Sequence, residues 1–355
     1  MKISQHILLG AVLAFASLPA MAQSGETTDA TQQRQTTETA LPSWMPKVSG
    51  TIRGKWELQT KENESRFEVR TARIALDGNI TPMVDYKAEI DLSDEGQIKM
   101  LDAYAGVNPL KGMAFRIGQM RVPFSIDAHR SPHKQYFANR SFIAKQVGNV
   151  RDVGVYGGYQ FADLPLIVET GAFNGSGLTN QKDYWTKTFN FSAKVQVPFE
   201  CGLTLEGSVQ KVSPNNNAVY LYDAGATLQT GRFTLEAEYL RKHYTHHAFA
   251  NVNAVDAFVC YDQPLRHVFR KVSFLCRYDM MDNHSDGRLD ENGHFKLTDA
   301  KRHRVTPGIT FSMAKKMNAD IRLNYEKYFY DDIDLAKTSE RDKVVVELVV
   351  HFPNK

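Results

Sequence analysis

From Trp185 to Val197 the chain alternates residue by residue. Trp185, Lys187, Phe189, Phe191, Ala193, Val195 and Val197 make one mostly apolar face, and Thr186, Thr188, Asn190, Ser192, Lys194 and Gln196 make a wholly polar one. Residues 84–92 repeat the pattern, with Val84, Tyr86, Ala88, Ile90 and Leu92 against Asp85, Lys87, Glu89 and Asp91. So do residues 317–326, with Met317, Ala319, Ile321, Leu323 and Tyr325 against Asn318, Asp320, Arg322, Asn324 and Glu326. Strand side chains point to opposite faces in turn, so strict alternation predicts strands that are apolar on one side only. A soluble β-sandwich alternates as well. Two features favour a membrane barrel instead. The segments are about 10–13 residues long, where soluble strands average about 5–6. Many also carry Tyr, Phe or Trp near the ends of the apolar face, where an aromatic girdle sits.

Sixteen such segments are predicted, at 48–58, 66–78, 83–92, 98–107, 113–123, 151–161, 166–174, 185–198, 202–212, 218–229, 232–243, 254–263, 268–280, 302–313, 317–329 and 343–352. An even count suits a closed bacterial barrel, and closure satisfies every backbone group inside the membrane. The even-numbered connections are tight, such as Thr230-Gly231, and the odd ones are mostly longer, notably 124–150, 281–301 and 330–342. Short periplasmic turns and long outer loops are the known asymmetry of such barrels. The fold predicted is an all-β, sixteen-stranded antiparallel transmembrane barrel whose long third outer loop constricts the pore.

The N-terminus reads as an export signal. Met1-Lys2 is followed by an apolar run from Ile7 to Leu18 and by Ala20-Met21-Ala22, a small-residue cleavage pattern. Residues 1–22 are therefore expected to be removed. Residues 23–45, rich in Thr and Gln, are too polar to bury a core and are expected to form a disordered periplasmic linker. The barrel is expected over 46–355.

Composition narrows the chemistry. The formal charge is only +3, from 43 Lys and Arg against 40 Asp and Glu, and gives no global reason to bind nucleic acid. The three cysteines, Cys201, Cys260 and Cys276, cannot build a disulfide scaffold, and by strand parity Cys260 faces the lumen while Cys276 faces lipid. The excess charge is local. Residues 121–152 hold Arg121, Arg130, Lys134, Arg140, Lys145 and Arg151 but only Asp127 and Asp152. The same stretch carries Phe124, Tyr136, Phe137, Phe142 and Ile143, which can anchor it to a wall. A basic segment lining a narrow pore attracts anions, and the planar fork of Arg suits phosphate and carboxylate. The alternative is a basic surface loop that meets lipopolysaccharide phosphates. Arg116, on the lumen face of its strand, joins the expected anion-binding set. Acidic outer loops, with Asp282, Asp286, Asp290, Glu291 and Asp299 in one and Asp331, Asp332, Asp334, Glu340 and Asp342 in the next, oppose anion steering.

Gly118-Gln119-Met120-Arg121-Val122-Pro123-Phe124, Phe137-Ala138-Asn139-Arg140-Ser141-Phe142, Arg151-Asp152-Val153-Gly154-Val155 and Asp102-Ala103-Tyr104-Ala105-Gly106-Val107 resemble the phosphate-selective porin O and P family. The resemblance is best over residues 70–160. It implies a trimeric sixteen-stranded porin whose third loop folds into the lumen, with arginines leading anions to a phosphate site. Arg121, Arg140 and Arg151 occupy matching motif positions.

Other chemistry is weakly signalled. Asp282-x-His284-x-Asp286-Gly287 begins like a calcium loop, but its twelfth position is Gly293 in place of the bidentate Glu. His243, His246 and His247 lack further ligands at zinc spacing. No nucleotide fingerprint or nucleophile elbow occurs. The expectation is an outer-membrane porin passing small hydrophilic solutes, preferring anions such as phosphate, without metal or cofactor and in contact with lipid and lipopolysaccharide. The alternatives are a weakly selective or structural barrel and, less favoured, a barrel hydrolase.

Overall fold

The computed structural model describes residues 45–147, 150–178, 181–214, 217–313 and 318–352. The expected signal peptide and nearly all of the expected linker lie outside them. The first five strands are β1 (Lys47–Gln59), β2 (Ser65–Thr81), β3 (Val84–Asp94), β4 (Gln97–Val107) and β5 (Met113–Arg121). The third outer loop follows and holds a 3-10 turn (Pro132–Lys134) and a short α-helix, α1 (Phe142–Gln146). Then come β6 (Arg151–Gln160), β7 (Ile167–Phe173), β8 (Asn190–Pro198), β9 (Leu203–Val212) and β10 (Val219–Thr230). The wall is completed by β11 (Phe233–Tyr244), β12 (Val252–Pro264), β13 (Phe269–Met281), β14 (Arg302–Met313), β15 (Ala319–Tyr330) and β16 (Lys343–Phe352).

Each strand pairs with the next, and β1 closes antiparallel on β16 from Gly50 opposite Phe352 to Gln59 opposite Lys343. Closure leaves no unpaired edge, which a membrane-exposed sheet requires. Polarity is inverted relative to a soluble protein. Ile52, Phe67, Ile117, Phe191, Val209 and Phe274 are exposed on the outside, while Arg53, Lys55, Glu57, Lys194, Glu206 and Arg322 are buried inside. Among the described residues no helix is long and apolar enough to cross a membrane; the strands do so.

Most boundaries fall within a few residues of the alternation, and two differences bear on the fold. β8 begins at Asn190, not Trp185, because β7 ends at Phe173 opposite Asn190 and offers nothing further to pair with. The connection expected over 93–97 is a tight turn through Glu95 and Gly96, both at positive φ (54° and 88°). Short turns on the opposite rim use glycine for close approach: Gly202 (φ +86°) leaves 2.1 Å between a Cβ position and the carbonyl oxygen of Gln229.

Candidate functional site at the third outer loop

The loop after β5 crosses the barrel interior and binds the far wall. Its apolar residues are the first anchor. Phe142 and Ile143 are fully buried and share one cluster with Phe124, Leu240 and Met281. Phe137 packs against Phe258 and Leu275 in a second cluster. Each such side chain contributes about 1.5–3 kcal/mol when removed from water. α1 is capped by Ser141, whose Oγ accepts from the Ala144 N–H (3.1 Å).

Polar bonds fix the loop's height. Glu238 on β11 accepts from Ser125 Oγ (2.5 Å) and from the Ile126 N–H (2.8 Å). Lys194 on β8 donates to the Ser125 carbonyl (3.2 Å). On the opposite side, the Ala138 N–H donates to Asn324 on β15 (2.8 Å), and Arg53 on β1 donates to the Ala138 carbonyl (2.6 Å). Asn139 reaches Glu326 (2.9 Å). The stretch of the loop that precedes α1 is thus tied to walls that lie far apart in sequence.

The seven predicted cations divide by partner. Arg116 lies beside Asp85 (3.5 Å) between the rings of Tyr104 and Tyr156. Arg130 pairs with Glu236 (2.5 Å) and Asp127 (3.1 Å). Lys145 pairs with Glu340 (3.2 Å), and Arg151 with Asp102 (2.7 Å) and Glu89 (3.4 Å). These four are neutralised by carboxylates. Arg121 and Arg140 instead converge on the carbonyls of the 127–130 turn. Arg121 Nη1 donates to the His129 carbonyl (2.8 Å) and more weakly to those of Ala128 and Arg130. Arg140 Nη1 donates to the Asp127 carbonyl, and Nη2 to that of Arg130 (2.8 Å). Among the described residues, neither guanidinium has a carboxylate within ion-pair distance. Lys134 is exposed; its backbone N–H donates to the Ser131 carbonyl (2.9 Å), and its side chain has neither an ion pair nor a hydrogen bond among the described residues.

The electrostatics follow this division. Burial lowers Arg140 to about 10; Asp127 works against that shift, and Arg53, Arg73 and Arg130 add to it. Asp127 is held at about 2 because Arg130, Arg140 and Arg277 outweigh its desolvation. His129 is pushed well below its usual value, by burial first and then by Lys194, Arg121 and Arg151. The middle of the loop is therefore a crowded cationic site whose histidine stays neutral.

The carboxylates that neutralise the other cations were not part of the sequence-derived site. Inward parity would have pointed to Asp102, whereas Glu340 comes from the eighth outer loop. That loop and the seventh are less acidic in effect than in composition. Asp299 meets Lys337 (2.7 Å), Asp342 meets Lys327 (2.5 Å) and Glu340 meets Arg302 (2.9 Å). Cavities lie on both sides of the third loop. One of about 840 Å³ is lined by Lys145, Lys187, Lys242, His284 and Asp286. The other, about 450 Å³, is lined by Lys134, His133, Arg270, Arg322 and Asp320. All three cysteines are free, with Cys260 buried and Cys276 exposed as parity requires. The described residues hold no cluster of His, Cys, Asp and Glu suited to a metal ion.

No curated protein matches the sequence. Solved structures match the fold. The outer membrane channel DcaP of Acinetobacter baumannii aligns at 14% identity and TM-score 0.61, over 86% of this chain and 97% of that one. The anion-selective porin from Comamonas acidovorans aligns at 13% identity and TM-score 0.61, over 86% and 99%. OmpT of Vibrio cholerae, in its trimer form, aligns at 11% identity and TM-score 0.59, over 87% and 99%. The family model for phosphate-selective porin O and P matches residues 56–259, more than half of the sequence. With a closed sixteen-stranded barrel that is apolar outside and charged within, the chain belongs to the phosphate-selective porin O and P family and is a porin of the bacterial outer membrane.

Proposed function

We propose that this porin passes small hydrophilic solutes by passive diffusion and prefers anions, phosphate among them. The observation that carries the reading is the pair Arg121 and Arg140, two guanidiniums inside the lumen with carbonyl partners only. Carbonyl dipoles hold a guanidinium in place without cancelling its charge, and spare N–H groups remain for a passing anion. The loop brings a permeating ion well within one Debye length of both, about 8–10 Å at ordinary salt. The anion-selective porin of the same fold supports the reading. The other cations of the set act as bolts: Arg116 on β5, Arg130, Lys145 and Arg151 hold strands and loop together, and Lys134 adds charge at the vestibule. A homotrimer is proposed from the trimer form of Vibrio cholerae OmpT, with residues 1–22 removed on export and 23–45 left as a periplasmic linker. The outer surface meets lipid and lipopolysaccharide.

The deciding experiment is zero-current reversal potential across a KCl gradient, for the wild type and for Arg121→Gln. Anion preference in the wild type that weakens in the variant is expected. Cation preference in the wild type overturns the reading. Inorganic phosphate added to a chloride solution should reduce the chloride current if the same arginines bind it. Weak general selectivity is the second reading, favoured by the four ion-paired cations; it predicts no effect of phosphate. Stepwise ion conductance also separates a channel from a barrel hydrolase.

A further inference from the structure

The outer wall of β9 to β13 carries an unusual pairing of features. In the membrane belt, Ala226 lies opposite Ala237, Ala237 opposite Ala257, and Ala257 opposite Tyr278. This row of small side chains leaves a furrow of about 480 Å³, walled by Leu228, Leu235 and Val259. The register continues toward the long-loop rim on the same strands. Tyr222 lies opposite Arg241, Tyr220 lies opposite His243, and Tyr220 also lies opposite Lys211. Arg241 is four residues beyond Ala237, so its row stands about 13 Å above the furrow floor, and the Lys211 row, which passes through His243, stands about 20 Å above it.

The two cations point outward. Arg241 is exposed and Lys211 half-buried, and neither side chain has an ion pair or hydrogen bond among the described residues. Asn253, opposite Arg241, holds the Asp282 carboxylate with its backbone and side-chain N–H groups (3.0 and 2.8 Å). Tyr239 also donates to Asn253 (2.8 Å). Charged side chains on the lipid face bring no gain to a barrel, and even near the interface cost up to about 1 kcal/mol. An anion of the surrounding membrane reverses that balance by forming charge-assisted hydrogen bonds.

We propose that this face binds one phosphorylated, multiply acylated glycolipid of the outer leaflet, a lipopolysaccharide. Its phosphate bridges Arg241 and Lys211, and an acyl chain fills the alanine furrow. Tyr220 and Tyr222 stand in the same rows as the two cations, at the level of an aromatic girdle. The inference rests on the barrel's place in the outer membrane and is independent of its ion selectivity.

The test uses the full barrel refolded in lipid-free detergent and read by native mass spectrometry. The probes are diphosphoryl lipid A, its monophosphoryl form and phosphatidylethanolamine. The wild type should retain one diphosphoryl lipid A per barrel in preference to the other two. Arg241→Gln with Lys211→Gln should weaken that retention about tenfold, the scale of losing charge-assisted contacts at a wet surface. Ala237→Phe, which fills the furrow, should weaken retention of both lipid A forms. Heat-modifiable mobility and KCl conductance report that each variant is folded, and selectivity is read separately by reversal potential. Equal retention of phosphatidylethanolamine, or unchanged lipid A retention in the double variant, overturns the proposal. An Ala237→Phe variant that changes oligomeric state but not lipid retention makes the furrow an interface between copies and overturns it too.

Discussion

Arg304 and Asp279, on neighbouring strands of the lumen wall, meet at 2.6 Å with both side chains fully shielded from water. The third loop is built onto this pair. The Phe142 N–H donates to Asp279 (3.1 Å), Arg304 donates to the Arg140 carbonyl (2.8 Å), and the Phe142 ring lies 4.6 Å from the Arg304 guanidinium. One ion pair therefore sets where Arg140 stands.

Removing one partner should loosen the loop. A buried charge left without any counter-ion costs about 3–5 kcal/mol, and Arg304, which keeps Glu326 at 3.3 Å, should lose less than that. Asp279→Asn is expected to lower the thermal midpoint and to give larger, noisier single-channel currents. Unchanged current noise in the variant would mean that the apolar anchors at Phe142 and Ile143 hold the loop alone.

The wall was readable from the chain because alternation is local. A strand's own side chains record which face is wet, so the sixteen elements of the wall and the opposite facing of Cys260 and Cys276 follow from parity. The apolar anchors of the loop were also visible, since Phe137, Phe142 and Ile143 are out of place in a solvated loop. The pairing of charges was not. Parity places Arg53 and Glu347 inside, but their 2.6 Å contact joins residues from opposite ends of the barrel sequence. For the same reason a simple count gave the loop a large positive excess, although three of its six cations are matched by carboxylates from other segments.

The Glu200–Cys201–Gly202 turn offers a backbone test. Gly202 and Gly231 both adopt positive φ, +86° and +57°, but only Gly202 faces a backbone carbonyl at close range. A non-glycine residue in such a conformation costs about 1–3 kcal/mol. Gly202→Ala should lower the thermal midpoint clearly more than Gly231→Ala. Equal shifts would show that the turn opens without cost.

Acid should loosen the loop through His133, whose ring stacks on His351 at 3.8 Å. Burial lowers His133 to about 4 from 6.5; His351, Lys134 and Arg322 add to the shift and Glu89 opposes it. Between those values a released His133 binds protons that the anchored one does not, so anchoring is complete above pH 6.5 and weakens as pH falls toward 4. Single-channel noise should rise over that interval in the wild type. His133→Phe keeps an aromatic ring on His351 without the proton, and should flatten the rise. A wild type equally quiet at pH 7 and pH 4 would show that the stack does not anchor the loop.

Arg130 offers a sharper selectivity test than deleting cations. It is held by Glu236 at 2.5 Å and by Asp127 at 3.1 Å, and its guanidinium lies over the Tyr136 ring. Glu236→Gln keeps the size and an acceptor oxygen but removes one negative charge from the lumen. If permeating ions sense net charge at the loop, anion preference should strengthen in this variant and weaken in Arg121→Gln. One unit charge at about 4 Å in an environment of effective dielectric near 20 is an interaction of about 4 kcal/mol before screening. Salt at about 0.1 M screens most of this beyond about 10 Å, so the reversal potential should move by more at low salt than at high. The Glu236→Gln and Arg121→Gln double variant should return toward the wild type, because the two changes cancel in charge. Shifts of the same sign in both single variants would mean that loop displacement, and not charge, governs which ions pass.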